Sequence, residues 1–293
     1  MESILITGSA GFIGSNICKI ALEKGYKVYG LDKNETNIDG VKNVVGSVTD
    51  KELVKRITKG VDYIIHTAAI TSVVEFEKYM YGSYTTNISG FNSLIDSAYQ
   101  NKIKKFLYAS SSAVYLDSFS EDDLIDIRRL KNHYSKSKLM NEMVAESYFT
   151  SYNMNTIGMR FFNVYGDGEN NKGDYASIIS RFLKANLRGK PLLVYGDGKQ
   201  ARDFINVKDV AIIVLKLLEN VDNGIYNVGT GKAVEYNYIA DLINKEKKEY
   251  IKNPLSTYQH LTKADTTKLI KAIGKYDFKT VNEFITEKSI LRR

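Results

Sequence analysis

Residues 7–14 read Thr-Gly-Ser-Ala-Gly-Phe-Ile-Gly, placing glycines at 8, 11 and 14. An apolar run at 3–7 precedes them and reads as a buried strand. Residues 12–23 follow as a helix with Ile13, Ile17, Ile20 and Ala21 on one face. Each glycine answers a separate physical need. One makes a tight turn, one lets the backbone approach a pyrophosphate, and one lets helix and strand pack closely. Phosphates then lie at the helix N-terminus, where free N–H groups and the dipole favour negative charge. Asp32 ends the next apolar run, 27–32, where an acid accepts from ribose hydroxyls and repels a 2′-phosphate. The pattern predicts a dinucleotide, NAD in preference to NADP, although Lys33 beside Asp32 leaves NADP open.

Working outward, strand and helix alternate. Further strands are expected at 43–45, 61–67, 105–110 and 156–161, with helices at 51–58, 75–100 and from Tyr134 onward. In that last helix Leu139, Met140, Met143, Val144 and Tyr148 share a face. Continuous apolar strands between helices indicate a parallel sheet covered on both sides. Beyond residue 165 the pattern loosens. Helices are expected near 175–188, 208–219, 237–248, 266–272 and 280–289, with short strands near 192–195 and 203–206. The expected architecture is α/β: a doubly wound, Rossmann-type domain over 1–165 and a smaller mixed α/β substrate lobe over 166–293. Segments of the lobe are free to cross back.

Composition narrows the class. The 293 residues are 43% hydrophobic and 26% charged, as in ordinary globular proteins. The longest apolar run, 210–215, is far short of the ~18 residues of a membrane helix. The N-terminus enters a strand at once, leaving no room for a signal peptide, and a cytoplasmic location is expected. One cysteine, Cys18, and three histidines, His66, His133 and His260, give no disulfide framework and no metal site. The net charge is +7. Residues 1–150 hold 18 basic and 18 acidic side chains, and residues 151–293 hold 23 and 16. The excess lies wholly in the second half, a balance that suits nucleic acid, an acidic membrane surface or an anionic small substrate.

Tyr134 and Lys138 are four apart and share a helix face. A nearby ammonium stabilises a phenolate, which would make Tyr134 a usable acid/base. Ser110, Ser111 and Ser112 end the fifth strand, where a hydroxyl can hold a substrate oxygen. Taken singly, these features suit a solvated pair and a serine loop. Following a dinucleotide loop in this order, they favour hydride chemistry. The acidic run 121–123 reads as solvated surface.

The chain resembles the extended short-chain dehydrogenase/reductase family, in particular its NAD-dependent nucleotide-sugar epimerases. The resemblance rests on TGSAGFIGSN (7–16), HTAA (66–69), TTNISG (85–90), YASSSAVY (108–115), YSKSK (134–138), RFFNVYG (160–166), VYGDGKQARDFINVKDVA (194–211) and YNVGTG (226–231). It implies NAD with Gly8, Gly11, Phe12, Ile13 and Gly14 at the pyrophosphate and Asp32 on the ribose. Ser47 and Val48 would lie on the adenine side, where many members have an aspartate in place of Ser47. Ala68, Ala69, Asn87 and Phe161 would complete the cofactor site. Ser111, Tyr134 and Lys138 would be catalytic, the last two also touching the cofactor. Ser111, Asn163, Lys172 and Arg202 would hold a nucleotide-diphosphate sugar. The implied reaction is transient oxidation to a keto sugar, with Tyr134 taking the hydroxyl proton.

Departures refine the resemblance. Dehydratases of the family carry an Asp-Glu pair after the catalytic hydroxyl; here Ser112 and Ala113 stand there, which disfavours loss of water. Leu116 replaces a usual glycine. General features match UDP-glucose 4-epimerases. Residues 172–177, and the tail from Tyr258-Gln259 through 262–265 to 278–281, look closer to ADP-glycero-manno-heptose 6-epimerases. Thr257 stands where those carry an arginine, and Asp32 favours NAD where those generally use NADP. The 4-epimerase is the preferred reading, with the heptose enzyme or a reductase on the same site as alternatives. A non-enzymatic, RNA-binding role rests on net charge alone, so neither nucleic acid nor membrane is expected as a partner. The resemblance also implies a homodimer through the helices near 75–100 and 134–150.

Overall fold

A computed structural model describes residues 1–115, 125–169, 173, 176–252 and 260–290. Leu116, the acidic run 121–123, Lys172, Thr257 and the Tyr258-Gln259 pair lie outside the described residues. The strands β1 (Ser3–Thr7), β2 (Lys27–Asp32), β3 (Lys42–Val45), β4 (Tyr63–His66), β5 (Lys105–Ser111) and β6 (Thr156–Phe161) form one parallel sheet in the order 3-2-1-4-5-6. The order reverses beside β1, so a crevice opens at the carboxyl ends of β1 and β4, the usual ligand position in such sheets.

The helices α1 (Phe12–Glu23), α2 (Lys51–Ile57), α3 (Val73–Lys78), α4 (Met80–Tyr84), α5 (Gly90–Gln100) and α6 (His133–Tyr152) connect these strands. The single helix expected over 75–100 is instead broken, with Tyr79 interrupting it and a π-helical turn at Thr85–Ser89 joining α4 to α5. On α6 the expected apolar face holds only in part: Leu139 is buried and Val144 and Tyr148 pack against the core. Met140 and Met143 are exposed, while Ser135, Ser137, Lys138, Asn141 and Glu142 are buried beside Leu139 and Ala145. Polar partners on the sheet, not apolar contacts alone, hold this helix.

The second half begins with β7 (Asn163–Tyr165), α7 (Ile178–Leu187), β8 (Leu192–Tyr195), β9 (Ala201–Asn206) and α8 (Val207–Asn220). A strand that the apolar pattern does not reveal, β10 (Gly224–Val228), then adds a seventh parallel strand beside β6. Two more follow, β11 (Ala233–Glu235) and, after α9 (Tyr236–Asn244), β12 (Lys248–Ile251). The helix expected to reach 248 therefore stops short, and its end becomes the partner of β8. The chain closes with α10 (Thr267–Ile273) and α11 (Val281–Ile290).

The main sheet has a core on each face. Ile17, Cys18 and Ala21 of α1 pack with Val210, Val214 and Leu217 of α8 and with Leu269 of α10. On the other face, Val54 of α2, Phe91 and Leu94 of α5 and Ala145 of α6 cover Leu5, Ile64 and Phe106. A third core, built on Ile179, Phe182, Val194, Phe204 and Phe284, belongs to the lobe. The handover between sheets occurs at Phe162. Its N–H donates to Val228 O at 3.0 Å, after which β7 leaves the large sheet to pair with β9.

Candidate active site

The glycine loop is shaped by distances too short for side chains. Gly8 has φ of +73°, and a Cβ there would lie 2.9 Å from Ala68 N. A Cβ on Gly14 would lie 2.1 Å from Gly8 O, and one on Gly11 would lie 3.0 Å from the same oxygen. Gly11 caps the twelve-residue helix α1 with no side-chain acceptor, so the first N–H groups remain available to an anion.

A cavity of about 600 Å³ opens over this helix end. Its wall contains Gly8, Gly11, Phe12, Ile13, Gly14, Asp32, Ser47, Val48, Ala68 and Ala69, all expected from the sequence. Lys33, beside Asp32, and Thr86, in the TTNISG stretch, also line it, as do Asn34, Ile70, Thr71 and Gly168, which no sequence motif singles out. The Asp32 carboxylate accepts from Ala10 N and Asn34 N, each at 3.1 Å, which fixes its orientation and leaves lone pairs for hydroxyls. The Ser47 hydroxyl is hydrogen-bonded to Thr49 Oγ1 at 2.8 Å.

Asn87 and Phe161 are not part of the wall. Asn87, in the π-helical turn, is 1% exposed and reads the wall from behind. Its Oδ1 accepts from Ile70 N at 2.8 Å, and its Nδ2 donates to Ile70 O at 3.0 Å and Ser137 Oγ at 3.2 Å. Phe161 lies in the apolar core with Ile205 and Val228, because its strand is sandwiched there between β5 and β10.

Tyr134 and Lys138 occupy the first two turns of α6, whose N-cap Asn132 accepts from Ser135 N at 2.7 Å. Lys138 is 3% exposed, and its Nζ donates to Ala109 O at 2.8 Å. Burial pushes its ammonium down to about 8, opposed by the Glu142 carboxylate one turn on. Tyr134 differs from the sequence expectation. Burial raises its phenol above the ordinary value, and the hydroxyl drawing it back is that of Ser111. Lys138 donates to the Ala109 carbonyl, and Ser111 is the group that lowers the phenol here.

On the lobe side, Asn163 Nδ2 donates to Asp203 O at 3.2 Å and Thr262 Oγ1 at 3.1 Å. Arg202 is 7% exposed, with Nη1 donating to Ala201 O at 2.9 Å and His260 O at 3.2 Å. Both side chains are thus anchored to the 260–262 segment. Asp203 between them accepts from Thr230 N, Gly231 N and Ala264 N at 2.8, 2.8 and 3.0 Å, tying two loops, one after β10 and one before α10, to β9.

Residues 4–229 match the model of the NAD-dependent epimerase/dehydratase family. The chain belongs to that family. Among solved structures, it is similar to a UDP-N-acetylglucosamine 4-epimerase of Methanobrevibacter ruminantium in complex with UDP-N-acetylmuramic acid, at 27% identity and a TM-score of 0.88, over 99% of both chains. A Thermotoga maritima UDP-glucose 4-epimerase with UDP-glucose is 25% identical, with a TM-score of 0.85, over 99% of this chain and 100% of that one. A Thermus thermophilus UDP-glucose 4-epimerase complex with NAD is 26% identical, with a TM-score of 0.83, over 97% and 98%.

The residues of this family member fit NAD on their own geometry. Gly8, Gly11 and Gly14 present bare backbone to the cavity, the helix end there has no side-chain cap, and an oriented carboxylate stands at the far strand. No helix among the described residues is long and apolar enough to cross a membrane.

Proposed function

We propose that the protein epimerises a nucleotide-diphosphate sugar, with a UDP-glucose/UDP-galactose type of 4-epimerisation as the preferred activity. The carrying observation is the pairing of a dinucleotide cavity at the ends of β1 and β4 with a Ser111, Tyr134 and Lys138 set at the end of β5 and the start of α6. Gly8, Gly11, Phe12, Ile13 and Gly14 would hold the pyrophosphate, and Asp32 the adenosine ribose. Bound NAD would supply reversible hydride acceptance from the sugar carbon. Tyr134 holds the proton exchanged with the sugar hydroxyl, Ser111 orients that oxygen, and Lys138 supplies positive charge beside them. Asn163 and Arg202 would meet the diphosphate, where a guanidinium can donate two parallel hydrogen bonds. Ser112 and Ala113 offer no acid for eliminating water, which favours epimerisation over dehydration.

The likeness to three UDP-sugar 4-epimerases over nearly the whole chain supports this preference. The tail sequence around 262–265 supports a second reading, an ADP-heptose 6-epimerase type. Heat stabilisation of the holoprotein by UDP but not ADP is expected on the first reading, and the reverse outcome selects the second. The purified protein should interconvert UDP-glucose and UDP-galactose with no net NADH. Tyr134→Phe should lower kcat by about 10³-fold or more while NAD stays bound. Full activity in that variant removes the assigned role, and stoichiometric NADH formation would identify a dehydrogenase instead. The same reading includes a homodimer through α5 and α6.

A further inference from the structure

Glu142 lies one turn beyond Lys138 on α6 and is 3% exposed. An ionised carboxylate at that depth is strongly unfavourable unless paired and hydrogen-bonded. Arg160 of β6 provides the pair: its Nε donates to Oε1 at 2.9 Å and its Nη2 to Oε2 at 2.7 Å. The Ser110 hydroxyl also donates to Oε1. Ser110 stands between Ala109, whose carbonyl receives the Lys138 ammonium, and Ser111, whose hydroxyl acts on Tyr134. One carboxylate therefore grips the strand residue flanked by both contacts of the catalytic set.

Arg160 extends the grip. Its Nη1 donates to the Tyr115 hydroxyl at 2.8 Å, which donates to Asn227 Oδ1 at 2.6 Å. Asn227 Nδ2 then donates to Asp265 O at 3.1 Å, so the chain of bonds runs from α6 through β6 and β10 to the segment entering α10.

Other charges around Lys138 are silent or already committed. His66 faces it from β4 and is neutral, because burial, aided by Lys138 itself, holds it down to about 3. Tyr108 of β5 is pushed up by burial and by Glu142 and stays protonated. Arg160 is taken up by Glu142 and Tyr115, and Glu146 lies a further turn along α6.

Resting on the assignment of Ser111, Tyr134 and Lys138 above, we propose that Glu142, braced by Arg160, is the positioning residue of that set. It clamps α6 to the end of β5 and supplies the negative charge that accompanies the Lys138 ammonium into the buried site. The two functions separate in variants. Glu142→Gln keeps an acceptor for Ser110 and loses the charge; Glu142→Asp keeps the charge and shortens the reach.

The test follows the Nζ resonance of Lys138 against pH in NAD-loaded protein containing nitrogen-labelled lysine, assigned by its absence from Lys138→Met. In Glu142→Gln the midpoint should fall by about one pH unit, a tenfold loss of proton affinity. In Glu142→Asp it should stay, while kcat for UDP-glucose drops about tenfold at constant KM. If Glu142→Gln folds poorly because Arg160 is left as an unpaired buried cation, Glu142→Gln with Arg160→Met removes both charges. The midpoint should still fall, since Glu142 and not Arg160 is the charge that acts on the Lys138 ammonium. An unmoved midpoint in either folded protein overturns the proposal. Tyr134→Phe keeps the two readings apart: full activity there defeats the catalytic assignment, whereas inactivity there with an unmoved Lys138 in Glu142→Gln defeats only the role of Glu142.

Discussion

Gly11 and Gly14 share one neighbour, the Gly8 carbonyl, at very different clearances. At 2.1 Å, a methyl group on Gly14 cannot be accommodated without parting β1 from α1. At 3.0 Å, one on Gly11 needs a shift of a few tenths of an ångström, at the surface an anion would approach. Gly14→Ala is therefore expected to lose about 3 kcal/mol of stability or more, with Gly11→Ala losing under about 1.5 kcal/mol but most of its affinity for NAD. Thermal melts and bound-nucleotide content of the two purified variants check the order, and equal losses in both would contradict it. His66 gives a second measurable consequence. Its ring is fully buried against Phe91 and Phe106, with Nδ1 hydrogen-bonded to Thr7 Oγ1 at 2.7 Å. Burial, with Lys138 adding to it, holds the imidazolium down to about 3 from an ordinary 6.5. The unfolded chain therefore binds the extra proton between those values. This contribution to stability is complete above the unfolded value and is lost as pH falls toward about 3. At about pH 5 the loss is on the order of 2 kcal/mol relative to pH 8. In His66→Gln that dependence disappears, so urea midpoints of parent and variant should converge on acidification; a constant gap would rule out neutral His66 as its source.

Asp203 shows how one side chain can organise an element. Its carboxylate, fully buried on β9, collects N–H groups from the loops after β10 and before α10. Burial raises its carboxyl above the usual range, and the donors from Thr230, Ala264 and Gly231 work against that rise. Asp203→Asn puts an amide donor where N–H groups converge. It is expected to cost about 2–3 kcal/mol and to raise KM for the nucleotide sugar several-fold, through loosened Asn163 and Arg202, with NAD content unchanged. Urea denaturation and steady-state kinetics on the NAD-loaded variant test this, and lost NAD with unchanged KM would place the effect elsewhere. Such residues leave no local mark in a sequence. The glycine loop, Asp32 and the Tyr134–Lys138 pair were legible because each requirement is met within a few residues: a turn, a strand end, one helical step. Strand β10 was not, since five residues cannot announce that their partner is β6, more than sixty positions earlier. The face of α6 misled because periodicity counts apolar residues, whereas this helix buries Lys138, Asn141 and Glu142. Asn87 was placed in the cofactor groove by motif, but its side chain serves the Ile70 backbone.

Across the molecule, the positive second half and the apolar outer face of α6 pose different questions. Part of the charge excess is spent within the lobe, where Lys248 pairs with Asp241, Lys279 with Glu287 and Lys288 with Asp167. With those lysines paired inside the lobe, net charge overstates the number of cations free to meet a diphosphate. The face of α6 that misled the sequence reading has its own consequence. Met143 and Tyr152 are 57% and 55% exposed, Met140 lies one turn from Met143, and the Tyr152 ring lies tilted against Tyr99 of α5 with ring centroids 4.7 Å apart. A stripe of this kind, on the helix that carries Tyr134 and Lys138, suits isologous packing against a second copy, as the proposed homodimer requires. Burying it would also stiffen α6 from outside, while the Arg160–Glu142 pair holds it from inside. Met143→Glu places two carboxylates near one another across a two-fold contact and is expected to shift the protein from dimer to monomer in sedimentation or light scattering. Because the side chain is exposed in one chain, circular dichroism and NAD content should be unchanged, and Tm should lose its dependence on protein concentration. A parent protein that is monomeric at micromolar concentration, or a variant that remains dimeric, would move the interface away from α6.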